Sequence, residues 1–167
     1  IPDYSELMDF RLDVMRSNNL KLSDIQEASS ELELLPGAYN FLQKIRQNFQ
    51  VVILSDTFHE IAKPLMEKMG FPLLLCHNLD VVNDEIISYK LRNKKAKKQA
   101  IESFQSIGYR CLAAGDSYND LQMFEVADKS FFINAPDKIS SSYPEIPSYD
   151  NYIDLESAIE DNSIFKK

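Results

Sequence analysis

The sequence predicts an α/β protein built on a doubly wound parallel sheet, with a small helical segment ahead of it. Short, continuously apolar runs of strand length alternate with one-faced helical patterns along most of the chain, which is typical of buried parallel strands joined by helices. Two of these runs end in polar clusters, and ligands of such sheets bind beyond the carboxyl ends of the strands.

The first 34 residues predict two helices, over 3–18 and 21–34, with Ser23 as the N-cap of the second. The first helix has two apolar stripes, so we expect it to be covered on more than one side; they consist of Leu7, Phe10 and Val14, and of Met8, Leu12 and Met15. Pro36-Gly37 then breaks the chain. The predicted domains are a helical segment over 1–33 and an α/β core over 34–167.

The core begins with an amphipathic helix from Ala38 to Phe49, followed by a buried strand over 50–56. A helix ending at Gly70 leads to a second strand over 72–76. The β-rich arms around Asn83-Asp84 predict a hairpin over 79–90. The later elements are predicted as a helix through 100–107, a strand over 110–116, a helix over 120–127, a strand over 130–136, a Ser/Pro-rich loop over 140–150 and a helix over 154–160.

Composition limits the function classes. Acidic residues outnumber basic ones by 26 to 18, which argues against a general nucleic-acid partner. No run of about 18 apolar residues or secretory start is present, so we expect no membrane partner. Two cysteines in apolar runs predict buried thiols and a cytoplasmic protein. The sequence leaves the oligomeric state open, with a homodimer as one candidate.

The sharpest motif is GDSYND over 115–120. Two carboxylates, Asp116 and Asp120, and the Asn119 amide gather after a strand. Carboxylates suit Mg²⁺, which binds one or two of them together with phosphate and water. A turn that caps the next helix explains the same string equally well.

Three further features admit two interpretations each. Ser55, at the end of the strand VVILSD, either binds phosphate or caps a helix. Arg11 either extends along the apolar stripe or pairs with a carboxylate. The six basic residues over 90–98 either form a solvated face or include one lysine directed at phosphate. His59 and His77 have no partner pattern, and we interpret them as structural.

The order strand–Ser, lysine at a helix start, strand–GDxxND resembles the haloacid dehalogenase superfamily of phosphotransferases. The strings IPDY, QVVILSDTF, PLLLCH and AAGDSYND are most similar to phosphoserine phosphatases, above all to the bacterial bifunctional kind that also passes phosphate to homoserine. The resemblance covers nearly the whole chain.

The resemblance implies a role for each matching residue. Ser55 and Lys97 (with Lys98 as the alternative) would contact phosphate, Asp116 would bind Mg²⁺, and Asp120 would brace the site as its second acidic residue. Asn119 would lie on the phosphate side. Arg11 would hold the substrate carboxylate. Asp56 and Thr57 follow Ser55 where ordinary members have glycines, as in the bifunctional kind, so the acceptor side of the pocket should differ, with Thr57 as a substrate-binding residue.

The superfamily nucleophile, an aspartate in a DxD-like motif on the first strand, has no counterpart, since no two aspartates here lie two positions apart. The resemblance therefore implies part of a helical cap over 1–33 and, over 34–167, a Rossmann-like core whose first strand is missing from this chain. For the complete protein the resemblance implies hydrolysis of O-phospho-L-serine through an aspartyl-phosphate, with homoserine as a second acceptor. The alternative is a non-catalytic fragment or phosphate-binding module.

Overall fold

A computed structural model describes residues 4–93 and 95–161 of the chain. Parallel strands alternate with helices, which confirms the predicted α/β class. The helices are α1 Tyr4–Ser17, α2 Leu22–Glu31, α3 Ala38–Asn48, α4 His59–Lys68, α5 Ala96–Ser106, α6 Leu121–Phe124, α7 Asp137–Ser140 and α8 Tyr152–Asp161. The strands are β1 Val52–Phe58, β2 Leu73–Val82, β3 Glu85–Lys90, β4 Leu112–Gly115, β5 Lys129–Ile133 and β6 Ser148–Tyr149.

The chain divides into two compact units. The first comprises Ile1–Leu34 and Val52–Arg92, and the second comprises Leu35–Val51 and Asn93–Lys167. The sequence analysis instead divided the chain between residues 33 and 34, into a helical segment and a core. That domain boundary stays a prediction. In the described part of the chain the strands form two three-stranded sheets rather than one, because β1 and β4 each pair with a single neighbour.

In the first unit β2 is the central strand. It runs parallel to β1, to which α4 connects it, and antiparallel to β3. Asn83 and Asp84 turn the hairpin with φ of 50° and 69°, the left-handed values that a tight two-residue turn requires. The predicted hairpin is thus present, and β2 extends from the predicted strand straight into it.

Helix α1 packs on this hairpin through one of its two apolar stripes. Met8 and Leu12 are buried in a cluster with Phe58, Leu79 and Ile86. The other stripe is exposed, with Phe10 at 65%, so the expectation that both stripes are covered was wrong for the described residues. The spacing of apolar residues predicts which of them share a face of the helix, whereas the burial of that face depends on whether another element packs against it.

Ser23 does not cap α2. Lys21 occupies the N-cap, and its backbone N–H donates to Asp24 at 2.8 Å. Ser23 instead donates from its backbone N–H and its hydroxyl to the Asp84 carboxylate, at 3.0 and 2.6 Å. The side chain therefore ties α2 to the hairpin turn, a partner 61 residues away that a local capping rule cannot detect.

In the second unit β5 is central, with β4 and β6 parallel to it. Its core joins α3, β5 and α8 through Ile45, Phe131, Leu155 and Ile159. Strand β6 lies in the segment predicted as a loop. It consists of only two residues, Ser148 and Tyr149. Helix α6 is shorter than predicted. No helix within residues 4–93 and 95–161 is both long and apolar enough to cross a membrane.

Candidate functional site

The GDSYND loop of the second unit is organised around one buried carboxylate. The loop leaves β4 at Gly115 and makes a 3₁₀ turn over Tyr118–Asp120. Asp120, only 5% exposed, folds back so that its Oδ2 accepts the backbone N–H groups of Asp116 and Ser117, both at 3.1 Å, and the Ser117 hydroxyl at 2.9 Å. Asp120 therefore sets the conformation of the segment that carries Asp116.

Lys97, in the first turn of α5, pairs with this carboxylate. Its Nζ lies 2.8 Å from Asp120 Oδ1, and the two side chains are 13% and 7% exposed. Burial alone would raise the pKa of Asp120, but the hydrogen bond and charge of Lys97, together with hydrogen bonds from Ser117, outweigh burial and lower the pKa. Asp120 is thus an anion at neutral pH.

The alternative lysine has a different environment. Lys98 pairs with Glu125 at 3.1 Å, and these side chains are 26% and 63% exposed. Of the two lysines, Lys97 is therefore the one tied to the GDSYND loop. The structure does not test whether either lysine contacts phosphate, so that assignment stays a prediction.

Gly115 permits the close approach of Asp120. A Cβ atom at position 115 would lie 2.5 Å from both Cγ and Oδ2 of Asp120, far inside ordinary van der Waals contact. A glycine is thus required at position 115 because there is no space for a side chain. The conformation of the loop depends on both Gly115 and Asp120.

Asp116 has the exposed carboxylate of the loop. Within the described residues its side chain makes no hydrogen bond or ion pair. Burial raises the pKa of Tyr152, and the Asp116 charge adds to this effect. Asn119 is also exposed. No group of three or more His, Cys, Asp or Glu side chains that could hold a metal occurs in the described ranges. One available carboxylate nonetheless fits Mg²⁺, which takes its other ligands from water and phosphate.

In the first unit, Ser55, Asp56 and Thr57 form a bulge at the end of β1. Leu54 pairs with Leu75 and Phe58 with His77, so three residues of β1 stand opposite the single residue between those partners. Bulges redirect side chains and are frequent beside active sites. The Ser55 Oγ accepts the Thr57 N–H at 3.2 Å, which leaves the hydroxyl hydrogen available to an anionic oxygen.

Ser55 and Thr57 also line an open pocket of about 500 Å³ in the first unit. Apart from Ser29, the other lining side chains are apolar, as is typical of ligand pockets that carry few polar groups. They are Ile25, Ala28, Leu32, Ile53, Ile61, Ala62, Leu65, Met66, Met69 and Leu74.

Arg11 lies on the exposed side of α1, where its Nη1 is 3.8 Å from the Met8 sulfur. Arg11, Ser55 and Thr57 thus belong to the first unit, and Lys97, Asp116, Asn119 and Asp120 to the second. Within the second unit the structure brings Lys97, Asp120 and the backbone of Asp116 together. The roles that the resemblance implies for these residues stay predictions.

One contact lay outside the sequence interpretation. His77, treated there as structural, is 3% exposed, and its Nε2 lies 3.9 Å from Asp56 Oδ1. Burial lowers the pKa of His77, and the Arg92 charge adds to this effect, although the Asp56 charge opposes both. A polar residue directly after a buried strand was the available signal, since PLLLCH places His77 there.

Comparison with known proteins identifies a matching family and two similar proteins. Residues 3–128 match the model of the haloacid dehalogenase-like hydrolases. The chain is 46% identical over 156 residues to phosphoserine phosphatase ThrH of Pseudomonas aeruginosa, and also to a phosphoserine phosphatase of Pseudomonas syringae pv. tomato. Each match covers 93% of this chain, but 76% of the first relative and 66% of the second.

Solved structures support the same fold. A phosphoserine phosphatase in apo form superposes with a TM-score of 0.70 at 17% identity, over 93% of this chain and 82% of that one. A phospho-aspartyl intermediate analogue of phosphoserine phosphatase gives a TM-score of 0.70 at 18% identity, over 86% and 71%. At these identities the likeness concerns the fold alone.

Proposed function

The chain belongs to the haloacid dehalogenase-like hydrolases, and on that basis we propose that the complete protein hydrolyses O-phospho-L-serine. The 46% identity to two proteins named phosphoserine phosphatase supports this substrate. The observation that carries the proposal is the buried Lys97–Asp120 pair, because it holds the GDSYND loop while leaving the Asp116 carboxylate exposed.

In this proposal each residue that matches a motif of the family has a separate role. The Ser55 hydroxyl donates to a phosphoryl oxygen, and Lys97 supplies fixed positive charge, since preorganised donors and charges stabilise a transferring phosphoryl group. Arg11 pairs with the carboxylate of the amino acid. Thr57 lines the acceptor side, and Asn119 lies on the phosphate side.

Asp116 would hold Mg²⁺ in the complete enzyme. When bound, the ion supplies electrostatic stabilisation of phosphoryl oxygens. Asp120 is not proposed as a ligand, because its two oxygens already accept hydrogen bonds from Lys97, Ser117 and the Asp116 backbone. Its role is to hold the loop.

The nucleophile is the unassigned part of this reaction. We propose that an aspartate outside these 167 residues forms the aspartyl-phosphate, which water hydrolyses or homoserine intercepts. The alternative function is a phosphate-binding module without turnover, and the observation favouring it is that no DxD motif occurs in the chain. A cytoplasmic location and a small phosphorylated amino acid as partner belong to the proposal.

The experiment begins with the intact mass of the natural protein, which should exceed 19.2 kDa by several kilodaltons. Phosphate release from phosphoserine is then measured with and without Mg²⁺, and phosphohomoserine is sought when homoserine is added. Asp116→Asn should abolish Mg²⁺-dependent turnover while the protein stays folded, because the side chain is exposed. A natural protein of 19.2 kDa that binds phosphate and releases none would establish the module instead.

A further inference from the structure

The bulge at the end of β1 needs an anchor other than the sheet ladder. Between the Leu54–Leu75 and Phe58–His77 pairs, the residues Ser55, Asp56 and Thr57 are out of register with β2. Residues in a bulge lose regular pairing, so their conformation depends on side-chain contacts. The Ser55–Thr57 hydrogen bond is internal to the bulge and does not attach it to β2.

The side chain of His77 on β2 lies beside the bulge and has a fixed orientation. Its Nδ1 accepts the backbone N–H of Arg92 at 3.1 Å, so in the neutral ring the proton resides on Nε2. That Nε2–H faces Asp56, with 3.9 Å between Nε2 and Oδ1. The ring is held further by Phe58, whose centroid lies 5.9 Å away. The imidazole is therefore fixed by the Arg92 backbone on one side, and on the other side its Nε2–H lies near the Asp56 carboxylate, at a distance longer than a direct hydrogen bond.

We propose that His77 is a positioning residue, which through Asp56 holds the bulged segment so that Ser55 and Thr57 keep the orientation their site requires. The inference rests on the proposed function, in which Ser55 contacts the phosphoryl group. It assigns a role to His77, which the sequence analysis interpreted as structural. The Asp56 side chain is 32% exposed, so the carboxylate is close to solvent as well as to His77.

Two substitutions of His77 test its two ring nitrogens separately. His77→Asn places an amide near Nδ1 and keeps an acceptor for Arg92, but it loses the group facing Asp56. His77→Gln places an amide near Nε2 and keeps a donor toward Asp56. Because a displacement of about 1 Å can reduce turnover about 100-fold, we expect kcat for phosphoserine to fall about tenfold or more in His77→Asn and to stay within about threefold in His77→Gln. KM should change little.

The controls address folding and coupling. His59→Asn alters the other histidine of the chain, which is exposed at the start of α4, and should leave kcat unchanged. Thermal melting of both His77 variants identifies a general loss of structure. If His77 acts through Asp56, the Asp56→Asn/His77→Asn double variant should be no slower than Asp56→Asn alone.

A readout independent of turnover completes the test. The His77 imidazole is titrated by NMR, with His59→Asn assigning the two signals. Asp56→Asn should lower the pKa of His77, because the Asp56 charge raises it. Equal losses in the Asn and Gln variants, an additive double variant, or an unshifted His77 titration would each overturn the inference. If the natural protein releases no phosphate from phosphoserine, the proposed function fails, and the NMR result still decides whether His77 and Asp56 are coupled.

Discussion

The substitution Gly115→Ala tests the organisation of the GDSYND loop most directly. The new Cβ would lie 2.5 Å from Cγ and Oδ2 of Asp120 and 2.7 Å from its Cβ. Asp120 cannot withdraw freely, since its carboxylate accepts hydrogen bonds from Lys97 at 2.8 Å, from two backbone N–H groups at 3.1 Å and from a hydroxyl at 2.9 Å. The overlap therefore has to be relieved at the expense of these bonds.

The size of the effect follows from these contacts. Overpacking in a close-packed region typically costs about 1–3 kcal/mol, and losing one hydrogen bond to a charged group costs about 1.5–3 kcal/mol. We expect Gly115→Ala to lower the free energy of unfolding by about 3–5 kcal/mol. Phosphatase activity should be lost as well, because the segment carrying Asp116 shifts with Asp120.

Urea denaturation measures this change, with Gly108→Ala as the matched control. Gly108 has φ of +93° but no atom within 4 Å of an added Cβ, so only its backbone conformation opposes the substitution, by about 1–2 kcal/mol. Its activity should stay at the wild-type level. If Gly115→Ala were as stable as wild type to within about 0.5 kcal/mol, the close approach of Asp120 to the backbone would not exist in solution.

Three other outcomes follow from the described contacts. Lys97→Met leaves a buried carboxylate without its cation and should cost about 3–5 kcal/mol, whereas Lys98→Met, which removes a more exposed pair, should cost less than about 1 kcal/mol; comparable urea midpoints for the two variants would contradict this. Because the pKa of His77 is lowered, the unfolded chain takes up a proton first as the pH falls, so the free energy of unfolding should decline below about pH 6.5, and His77→Gln should remove this decline. The lowered pKa of Asp120 adds stability that is present above the ordinary carboxyl pKa and lost as the pH falls through the folded value. A urea midpoint independent of pH would refute both. Arg11→Ala should raise KM for phosphoserine about tenfold or more while barely altering KM for a phosphomonoester without a carboxylate, and equal effects on the two substrates would assign Arg11 to structure.

Local sequence patterns predicted much of the fold and of the loop. The spacing of Ala38, Phe41, Leu42 and Ile45 predicted α3, and the structure places this helix at Ala38–Asn48. Asn83-Asp84 predicted the hairpin turn, since these residues tolerate left-handed backbone. The composition of GDSYND identified the loop that gathers Lys97 and Asp120. Each signal lies within a few residues, where period, turn chemistry and residue type determine the local conformation.

The local patterns did not predict contacts between distant segments of the chain. Ser23 meets Asp84 across 61 residues, and β6 acquires its strand pairing only because β5 lies beside it. His77 lies near Asp56 across a strand pair whose register shifts at the β1 bulge.

By itself the sequence determined the order of most helices and strands, the family and the GDSYND motif, because periodicity and residue chemistry are written locally along the chain. The tertiary structure decided which lysine meets Asp120, which stripe of α1 is buried and what His77 contacts. These outcomes depend on the path of the backbone between segments, which sets the distances over which burial and charge act.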